Sequence, residues 1–251
     1  MEKIALSIDT EFLETNQYKY SASGTAEKEK EGLRDLLEIL DRHDQRITFF
    51  TVANMCNDHK DILEEIVDRG HEIGSHTMNH KDLTELSGKE LEEEVIGSKE
   101  KLEEELGVEV KGFRAPMLKH NEEVFSNVKK AGYSYDSSMI SSLRIPGWYG
   151  GDNVGQKPFK RGGLTEVPLS VHPWFKIPIS GFFARCLGKR YLMWSIKLLH
   201  GRDITPVIYL HPFALKRFEN KNNWRQRMGA GRYTLDLIET LAGEYTLVRT
   251  E

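Results

Sequence analysis

The sequence has few cysteines, no long apolar segment and no strong excess of charge of one sign. Its two cysteines, Cys56 and Cys186, lie far apart in 251 residues, so a disulfide framework or a cysteine-rich metal site is not expected. No segment reaches the ~20 consecutive apolar residues that cross a bilayer. A net charge of -4 gives no electrostatic reason to expect nucleic acid as a partner.

A secretory signal is also missing from the start of the sequence. A signal peptide has a basic segment followed by an apolar run, whereas here β-prone residues begin at Lys3. Two cysteines without a framework fit a reducing compartment. We therefore expect a cytoplasmic protein.

Strand-like and helix-like segments alternate along the chain. The predicted strands are Lys3–Ile8, Arg46–Val52, His71–Ser75, Lys111–Arg114, Tyr133–Asp136, Leu164–Leu169, Thr205–Leu210 and Tyr245–Arg249. The predicted helices are Glu27–His43, Asp61–Arg69, Leu83–Leu106, Glu122–Ala131 and Tyr233–Ala242. This alternation predicts one α/β domain over residues 1–251 with a parallel sheet, either a barrel or a doubly wound sheet. The Gly-rich segment 141–163 is expected to cover the site or to be mobile, and the many acids of Leu83–Leu106 to form a solvated face.

Two histidines, His76 and His80, follow the third predicted strand. Imidazoles four residues apart share one face of a helix, so both can reach one ion, and imidazole suits zinc and related metals. On spacing alone, two solvated histidines are a slightly better interpretation.

Two acids, Asp9 and Glu11, end the first predicted strand. Side chains two apart on a strand share a face, and two carboxylates there cost free energy unless something positive compensates them. With the two histidines they supply the oxygen and nitrogen ligands of a catalytic metal site, which uses three protein ligands and leaves one position open.

Four further polar residues, Arg114, Asp136, Glu166 and His211, lie at or near ends of predicted strands. In parallel α/β folds the chemistry gathers at the carboxyl ends of strands. Taken singly, an ion pair explains Arg114 and Asp136, and a hydrogen-bonded core histidine explains His211. Their occurrence at successive strand ends is hard to attribute to packing alone.

The sequence blocks around these residues resemble the polysaccharide deacetylase (NodB-homology) family in content and order. The blocks are Ser7-Ile8-Asp9-Thr10-Glu11, Ser75-His76-Thr77-Met78-Asn79-His80, Phe113-Arg114-Ala115-Pro116, Tyr135-Asp136-Ser137-Ser138, Glu166-Val167-Pro168 and Tyr209-Leu210-His211-Pro212. The resemblance covers nearly the whole chain. It implies a distorted (β/α)7 barrel, a divalent metal that is usually zinc, and removal of an acetyl group from an N-acetylated sugar.

The resemblance also implies a role for each matching residue. Asp9 would be the general base and His211 the general acid, with Arg114 orienting Asp9 and Asp136 tuning the catalytic histidine. Glu11, His76 and His80 would hold the metal. A neighbouring carboxylate is expected to keep the pKa of His211 high.

Two departures from the family pattern leave alternatives open. Glu11 replaces the usual aspartate, so Asp9 could contact the metal instead. His172 lies in a second His-Pro pair and competes as the acid. His211 is preferred because the apolar run Pro206–Leu210 leads directly into it. The expected substrate contacts are Pro116, Met117, Glu166 and His172.

The segment Phe175–Leu199 is rich in aromatic, aliphatic and basic residues. A core-packing helix outside the barrel is the favoured interpretation, and peripheral contact with a membrane or lipid-linked glycan is the alternative. Two rival functions also remain: hydrolysis of another small C–N bond, as in a cyclic amide or formamide, and glycan binding without catalysis.

Overall fold

A curled sheet of nine strands organises the computed structural model, which describes residues 1–13, 25–144, 150–217 and 230–251. The strands are β1 (Lys3–Thr10), β2 (Thr48–Thr51), β3 (Glu72–Ser75), β4 (Gly112–Phe113), β5 (Tyr135–Asp136), β6 (Phe159–Arg161), β7 (Leu164–Glu166), β8 (Val207–Leu210) and β9 (Thr246–Val248).

The strand order across the sheet is β6-β7-β5-β4-β3-β2-β1-β8, and β9 pairs with the start of β1. All pairings are parallel except the antiparallel β6–β7 hairpin. Beyond β7 the chain reaches the far edge strand, because the Ser170 amide donates to the Val207 carbonyl at 3.0 Å. The sheet therefore curls as a half-barrel, which confirms the barrel form of the α/β prediction and gathers the carboxyl ends of the parallel strands at one rim.

Helices cover the outer face of the sheet. They are α1 (Ala26–Arg42), α2 (Met55–Asp58), α3 (Lys60–Asp68), α4 (Gly88–Glu92), α5 (Ser98–Leu106), α6 (Glu122–Lys130), α7 (Gly181–Leu187), α8 (Lys189–His200) and α9 (Arg232–Glu244). The leucine stripe of α1, which includes Leu33, Leu36 and Leu40, is buried as its helical spacing predicts. No helix in the described part of the chain is long and apolar enough to cross a membrane.

The side chains of β1 alternate between two buried layers. Ile4, Leu6 and Ile8 belong to the large core between sheet and helices, whereas Ala5 belongs to the smaller core inside the curl. By the two-residue period of a strand, Asp9 shares the inner side with Ala5. The first acid of the predicted pair therefore faces the interior of the half-barrel.

The predicted helix Leu83–Leu106 is interrupted. A short 3₁₀ turn spans Leu83–Glu85, and a π-helical turn at Glu93–Gly97 separates α4 from α5. The π turn faces Glu94 inward, where it is buried, and its carboxylate accepts hydrogen bonds from the backbone and side-chain nitrogens of Asn79, each at 2.8 Å. The prediction that the acids of this segment are solvated is thus wrong for Glu94, because the extra residue of a π turn redirects one side chain.

Candidate active site

The histidine pair lies in a loop after β3. Thr77 and His80 have left-handed backbone conformations, with φ of 70° and 59°. The Thr77 hydroxyl accepts a hydrogen bond from the His80 amide at 3.0 Å. The expectation of one helical face is therefore wrong, yet the loop brings the rings of His76 and His80 to a centroid separation of 4.9 Å. The side chains still meet because the loop folds back on itself at the strand end.

Glu11, His76 and His80 form one buried group in which each offers a ligand atom within 4.8 Å of the others. The Nε2 atom of His80 lies 2.6 Å from Oε2 of Glu11. The Nδ1 atom of His76 lies 2.7 Å from the carbonyl oxygen of Arg114 and donates to it, which leaves Nε2 as the free donor atom for a metal. A backbone acceptor on the far nitrogen is the usual way in which a metal-binding histidine is oriented.

The charge states of this group suit a cation. Burial alone would raise the pKa of Glu11, but the charge and hydrogen bond of His80, with the charges of His211 and His76, outweigh it and lower the pKa to about 2. Burial lowers the pKa of His76 to about 4, so the ring is neutral near pH 7. Burial also opposes the charge on His80, but Glu11 outweighs it and raises the pKa of His80. These directions favour a carboxylate on Glu11 hydrogen-bonded to the His80 ring, and a divalent metal bound there would take the place of the ring proton.

Arg114 holds Asp9 beside this group. The guanidinium is fully buried, and its Nη1 donates to Oδ1 of Asp9 at 2.6 Å and to the Ser7 hydroxyl at 2.8 Å. Nε and Nη2 donate to the carbonyl and hydroxyl oxygens of Ser137 at 3.0 and 2.9 Å. The ring of Phe50 lies 4.0 Å from the guanidinium carbon. Each guanidinium nitrogen thus has a partner, so the arginine fixes the position of one Asp9 oxygen.

His211 joins the site from the end of β8. Its Nε2 lies 3.5 Å from Oε1 of Glu11, and its ring stacks on Phe213 with centroids 4.9 Å apart. The expectation that a neighbouring carboxylate keeps the pKa of His211 high is wrong. Burial is the larger effect and lowers the pKa of His211, because the attraction of Glu11 and Asp9 offsets it only in part.

Asp136 and Glu166 form a second buried acid pair on β5 and β7, which are adjacent in the sheet. Burial is the main cause that raises both pKa values, and the nearby Asp136 charge raises that of Glu166 further, so the pair retains a proton near pH 7. Asp136 accepts a hydrogen bond from Ser138, and Glu166 accepts one from the Met139 amide at 3.0 Å. The tuning of His211 by Asp136 and substrate contact by Glu166 stay predictions.

The remaining predicted substrate contacts are Pro116, Met117 and His172, and their surroundings differ. Pro116 and Met117 follow Arg114 in a tight turn, and Met117 is partly exposed with a φ of 55°. Substrate contact by these two residues stays a prediction.

His172 does not join the metal-type group. Its ring is fully buried, and its Nδ1 accepts from the amides of Trp174 and Phe175 at 3.2 and 3.3 Å. No contact within the described ranges joins it to Glu11 or His211. A ring without exposed surface cannot touch a substrate in this arrangement, so His211 is the histidine of the two that lies at the site. The predicted cover 141–163 includes residues 145–149, which lie outside the described residues.

Sequence patterns alone missed Ser7 and Glu94. Ser7 could have been found, because it lies two residues before Asp9 on the same side of β1. Glu94 supports the histidine loop through Asn79, which precedes His80, but no periodicity marks a π turn in advance.

Comparisons with known proteins fit this geometry. The family model for polysaccharide deacetylase matches residues 23–135. A chitooligosaccharide deacetylase from Azorhizobium caulinodans is 31% identical over 186 residues, which cover 71% of this chain and 82% of that protein. The chain belongs to the polysaccharide deacetylase family.

Other members of the polysaccharide deacetylase family match over shorter ranges. Peptidoglycan-N-acetylglucosamine deacetylase from Bacillus cereus is 33% identical over 98 residues, 39% of this chain. The chain spans half or less of the length of several curated relatives, including 46% of that enzyme.

Solved structures share the fold. A proposed polysaccharide deacetylase from Mycobacterium smegmatis superposes with a TM-score of 0.67 at 22% identity, covering 99% of this chain and 88% of the other. BA3943 from Bacillus anthracis, a CE4 family pseudoenzyme, superposes with a TM-score of 0.59 at 15% identity, covering 99% of this chain and 63% of that one. Since the fold also occurs in a pseudoenzyme, activity has to be argued from residues.

Proposed function

We propose that this polysaccharide deacetylase family member is a metal-dependent hydrolase that removes an acetyl group from an N-acetylated amino sugar. The proposal rests on one observation: two groups of side chains lie next to each other. The Glu11–His76–His80 group offers three metal ligands within 4.8 Å of one another, and the buried Asp9–Arg114 pair stands beside it. Relatives named as chitooligosaccharide and peptidoglycan deacetylases support the reaction class.

Glu11, His76 and His80 would hold the metal, with zinc the best match to two imidazoles and one carboxylate. When bound, the metal would supply the Lewis acidity that activates both the water and the acetyl carbonyl. The grouping of Glu11 with the two histidines supports Glu11 as the metal carboxylate. Asp9 is engaged by Arg114 instead, so we assign the metal carboxylate to Glu11 and leave Asp9 for proton transfer.

Asp9 would take the proton of the attacking water. Arg114 binds its Oδ1, so the base would act through Oδ2. A general base is effective when its reactive oxygen is held in one position, and the contacts of Arg114 with Ser7 and Ser137 provide that constraint. Arg114 is therefore a positioning residue for the base.

His211 would deliver a proton to the departing sugar amine. It borders Glu11 and keeps part of its side chain exposed, 28%. An amine leaves far more readily once it is protonated, so this donor completes the reaction. Because burial lowers the pKa of His211, the protonated form is favoured on the acidic side of the ordinary histidine range.

We infer a short or carrier-linked sugar as the substrate. A cytoplasmic location, proposed from the sequence, would make a nucleotide-linked or lipid-linked sugar, or a short oligosaccharide, more accessible than finished cell wall. N-acetylglucosamine oligomers present the same acetamido group and are the practical first probe.

The test is acetate release from N-acetylglucosamine oligomers, with and without a metal chelator. We expect the wild-type chain to release acetate in a chelator-sensitive way. The control variant Asp44→Asn, which changes an exposed surface residue, should do the same. Asp9→Asn should lose turnover, because it removes the base and keeps the size of the side chain. Chelator-sensitive hydrolysis of a formamide or cyclic amide without acetate release would favour the rival C–N hydrolase. Binding of the oligomers with no hydrolysis of any amide would contradict the enzymatic proposal and favour a binding module.

A further inference from the structure

Four exposed apolar side chains cluster on one flank of the half-barrel. We call Trp174, Phe175, Leu187 and Trp194 the aromatic patch. They are 59%, 53%, 49% and 42% exposed, and they make up four of the seven large hydrophobic residues exposed in the described ranges. The rings of Trp174 and Trp194 are 5.6 Å apart, and those of Phe175 and Trp194 are 6.2 Å apart. Scattered exposed hydrophobic residues are ordinary, but a contiguous group indicates a contact surface.

Buried contacts hold the patch in place. His172 lies beneath it, with its ring stacked on Phe175 at 4.7 Å and tilted against Trp194 at 4.5 Å. Its Nδ1 accepts from the amides of Trp174 and Phe175, which fixes the turn that carries them. The Tyr191 hydroxyl donates to the Ile177 carbonyl at 3.1 Å and ties that turn to α8. The rings are therefore presented by a fixed scaffold rather than by a loose loop.

Basic residues are concentrated in the segment of the chain that carries the patch. The stretch from residue 167 to 202 contains six lysines and arginines and no acid, in a chain whose net charge is -4. On α8, Arg190, Trp194 and Lys197 are spaced four and three residues apart, so they form one exposed stripe. The opposite face of that helix, with Leu192 and Ile196, is buried.

The basic side chains of this stripe differ from other surface cations in the described part of the chain. Within the described ranges, Arg190 and Lys197 form no ion pair, whereas basic residues elsewhere on the surface do, such as Arg69 with Asp41 at 2.7 Å and Lys130 with Glu92 at 2.7 Å. No acidic residue in the described part of the chain neutralises these two side chains, so they can attract an external anion.

An open groove runs along the patch. It has a volume of about 500 Å³ and is lined by Phe175, Ile177, Leu187, Arg190, Tyr191 and Trp194. Its wall is apolar except for Arg190, so it pairs a hydrophobic trough with a cation at the margin. Such a trough suits an amphiphile with an anionic head.

We propose that the aromatic patch and the Arg190–Trp194–Lys197 stripe dock this protein on an anionic lipid surface. Tryptophan and phenylalanine rings insert at the boundary between headgroups and acyl chains, and neighbouring lysines and arginines attract anionic headgroups. Lipid is favoured over a second copy of the chain, because a two-fold contact through this surface would bring like charges together. The proposal does not depend on the proposed hydrolase activity.

Vesicle binding tests the proposal. The full chain is mixed with vesicles of phosphatidylcholine alone, or of phosphatidylcholine with phosphatidylglycerol, and followed by co-sedimentation and by quenching of tryptophan emission with brominated lipid. We expect binding to the anionic vesicles only, weakened by salt. Arg190→Glu with Lys197→Glu should lower partitioning at least tenfold, since each basic side chain near an anionic surface contributes about fivefold. Lys89→Glu with Lys129→Glu, on α4 and α6, is the matched control and should bind as the wild type does.

Trp174→Ala with Phe175→Ala should weaken both vesicle binding and lipid quenching while circular dichroism shows a folded protein. Equal binding to both vesicle types, or none to either, would overturn the proposal. A salt-insensitive dimer that Trp174→Ala dissociates would overturn it in favour of a second copy as the occupant.

Discussion

Replacing Arg114 by methionine should destabilise the fold more than replacing both Arg114 and Asp9. The guanidinium is fully buried and lies 2.6 Å from the Asp9 carboxylate, which is itself buried. Methionine fills part of the arginine volume but leaves the carboxylate as an uncompensated buried charge. In Arg114→Met with Asp9→Asn, that charge is gone.

The expected magnitudes follow from the burial of both partners. Breaking a buried ion pair by removing one member costs about 3–5 kcal/mol, and the loss of the Ser7 and Ser137 hydrogen bonds belongs to the same change. The double variant should recover about 2 kcal/mol of that loss, because no buried charge remains.

Urea denaturation followed by circular dichroism at neutral pH measures these free energies of unfolding. The exposed ion pair Lys130–Glu92, with nitrogen and oxygen 2.7 Å apart, is the control. Single and double variants of this pair should give an interaction free energy below about 1 kcal/mol. If the double variant were no more stable than Arg114→Met, Arg114 would not be compensating the charge of Asp9, and its assignment as the positioning residue of the base would fail.

Three further predictions concern single groups. Glu94→Gln should weaken zinc binding roughly tenfold, because Asn79 loses a charged hydrogen-bond acceptor. Competition with a chelating dye measures the affinity, and the exposed control Glu90→Gln should leave it unchanged. Glu166 keeps its proton in the folded chain above the ordinary glutamate range, so native stability falls as pH rises there. Glu166→Gln should therefore gain up to about 1.4 kcal/mol per pH unit relative to wild type in thermal melts, and a pH-independent difference would contradict this. The alkaline limb of kcat/KM should lie below pH 6.5, the ordinary pKa that burial lowers for His211, and a limb near pH 9 would exclude His211 as the acid.

The main framework of the fold could be predicted from periodicity. The alternation of Ile4, Leu6 and Ile8 predicts β1, and the leucine spacing of α1 predicts its buried face. Parallel strands with polar residues at their ends predict the common rim. These features depend on the spacing of apolar residues within one segment, and that spacing can be read directly from the sequence.

The details of the histidine loop could not be predicted in this way. The spacing of His76 and His80 suits a helix, but the chain instead adopts left-handed conformations at Thr77 and His80. The loop is supported by a residue distant in sequence, because the Glu94 carboxylate of the π turn accepts hydrogen bonds from Asn79. A pattern confined to one segment contains no information about such tertiary support.

The choice between similar residues also needed three-dimensional distances. Both His172 and His211 precede proline, yet only His211 lies beside Glu11, while His172 is enclosed by aromatic rings. Likewise, Asp9 lies on β1 and Glu11 follows the end of that strand, and it is Glu11 that forms one group with both histidines. The residue types were visible in the sequence, whereas their partners were set by the curl of the sheet.

Zinc titration of the metal-free protein tests the central claim most directly. Isothermal calorimetry would compare the wild type with Asp9→Asn and Glu11→Gln. The proposed assignment predicts about one zinc per chain for the wild type and for Asp9→Asn, and a loss of affinity of at least tenfold for Glu11→Gln. Retained affinity in Glu11→Gln together with lost affinity in Asp9→Asn would contradict it and make Asp9 the metal carboxylate.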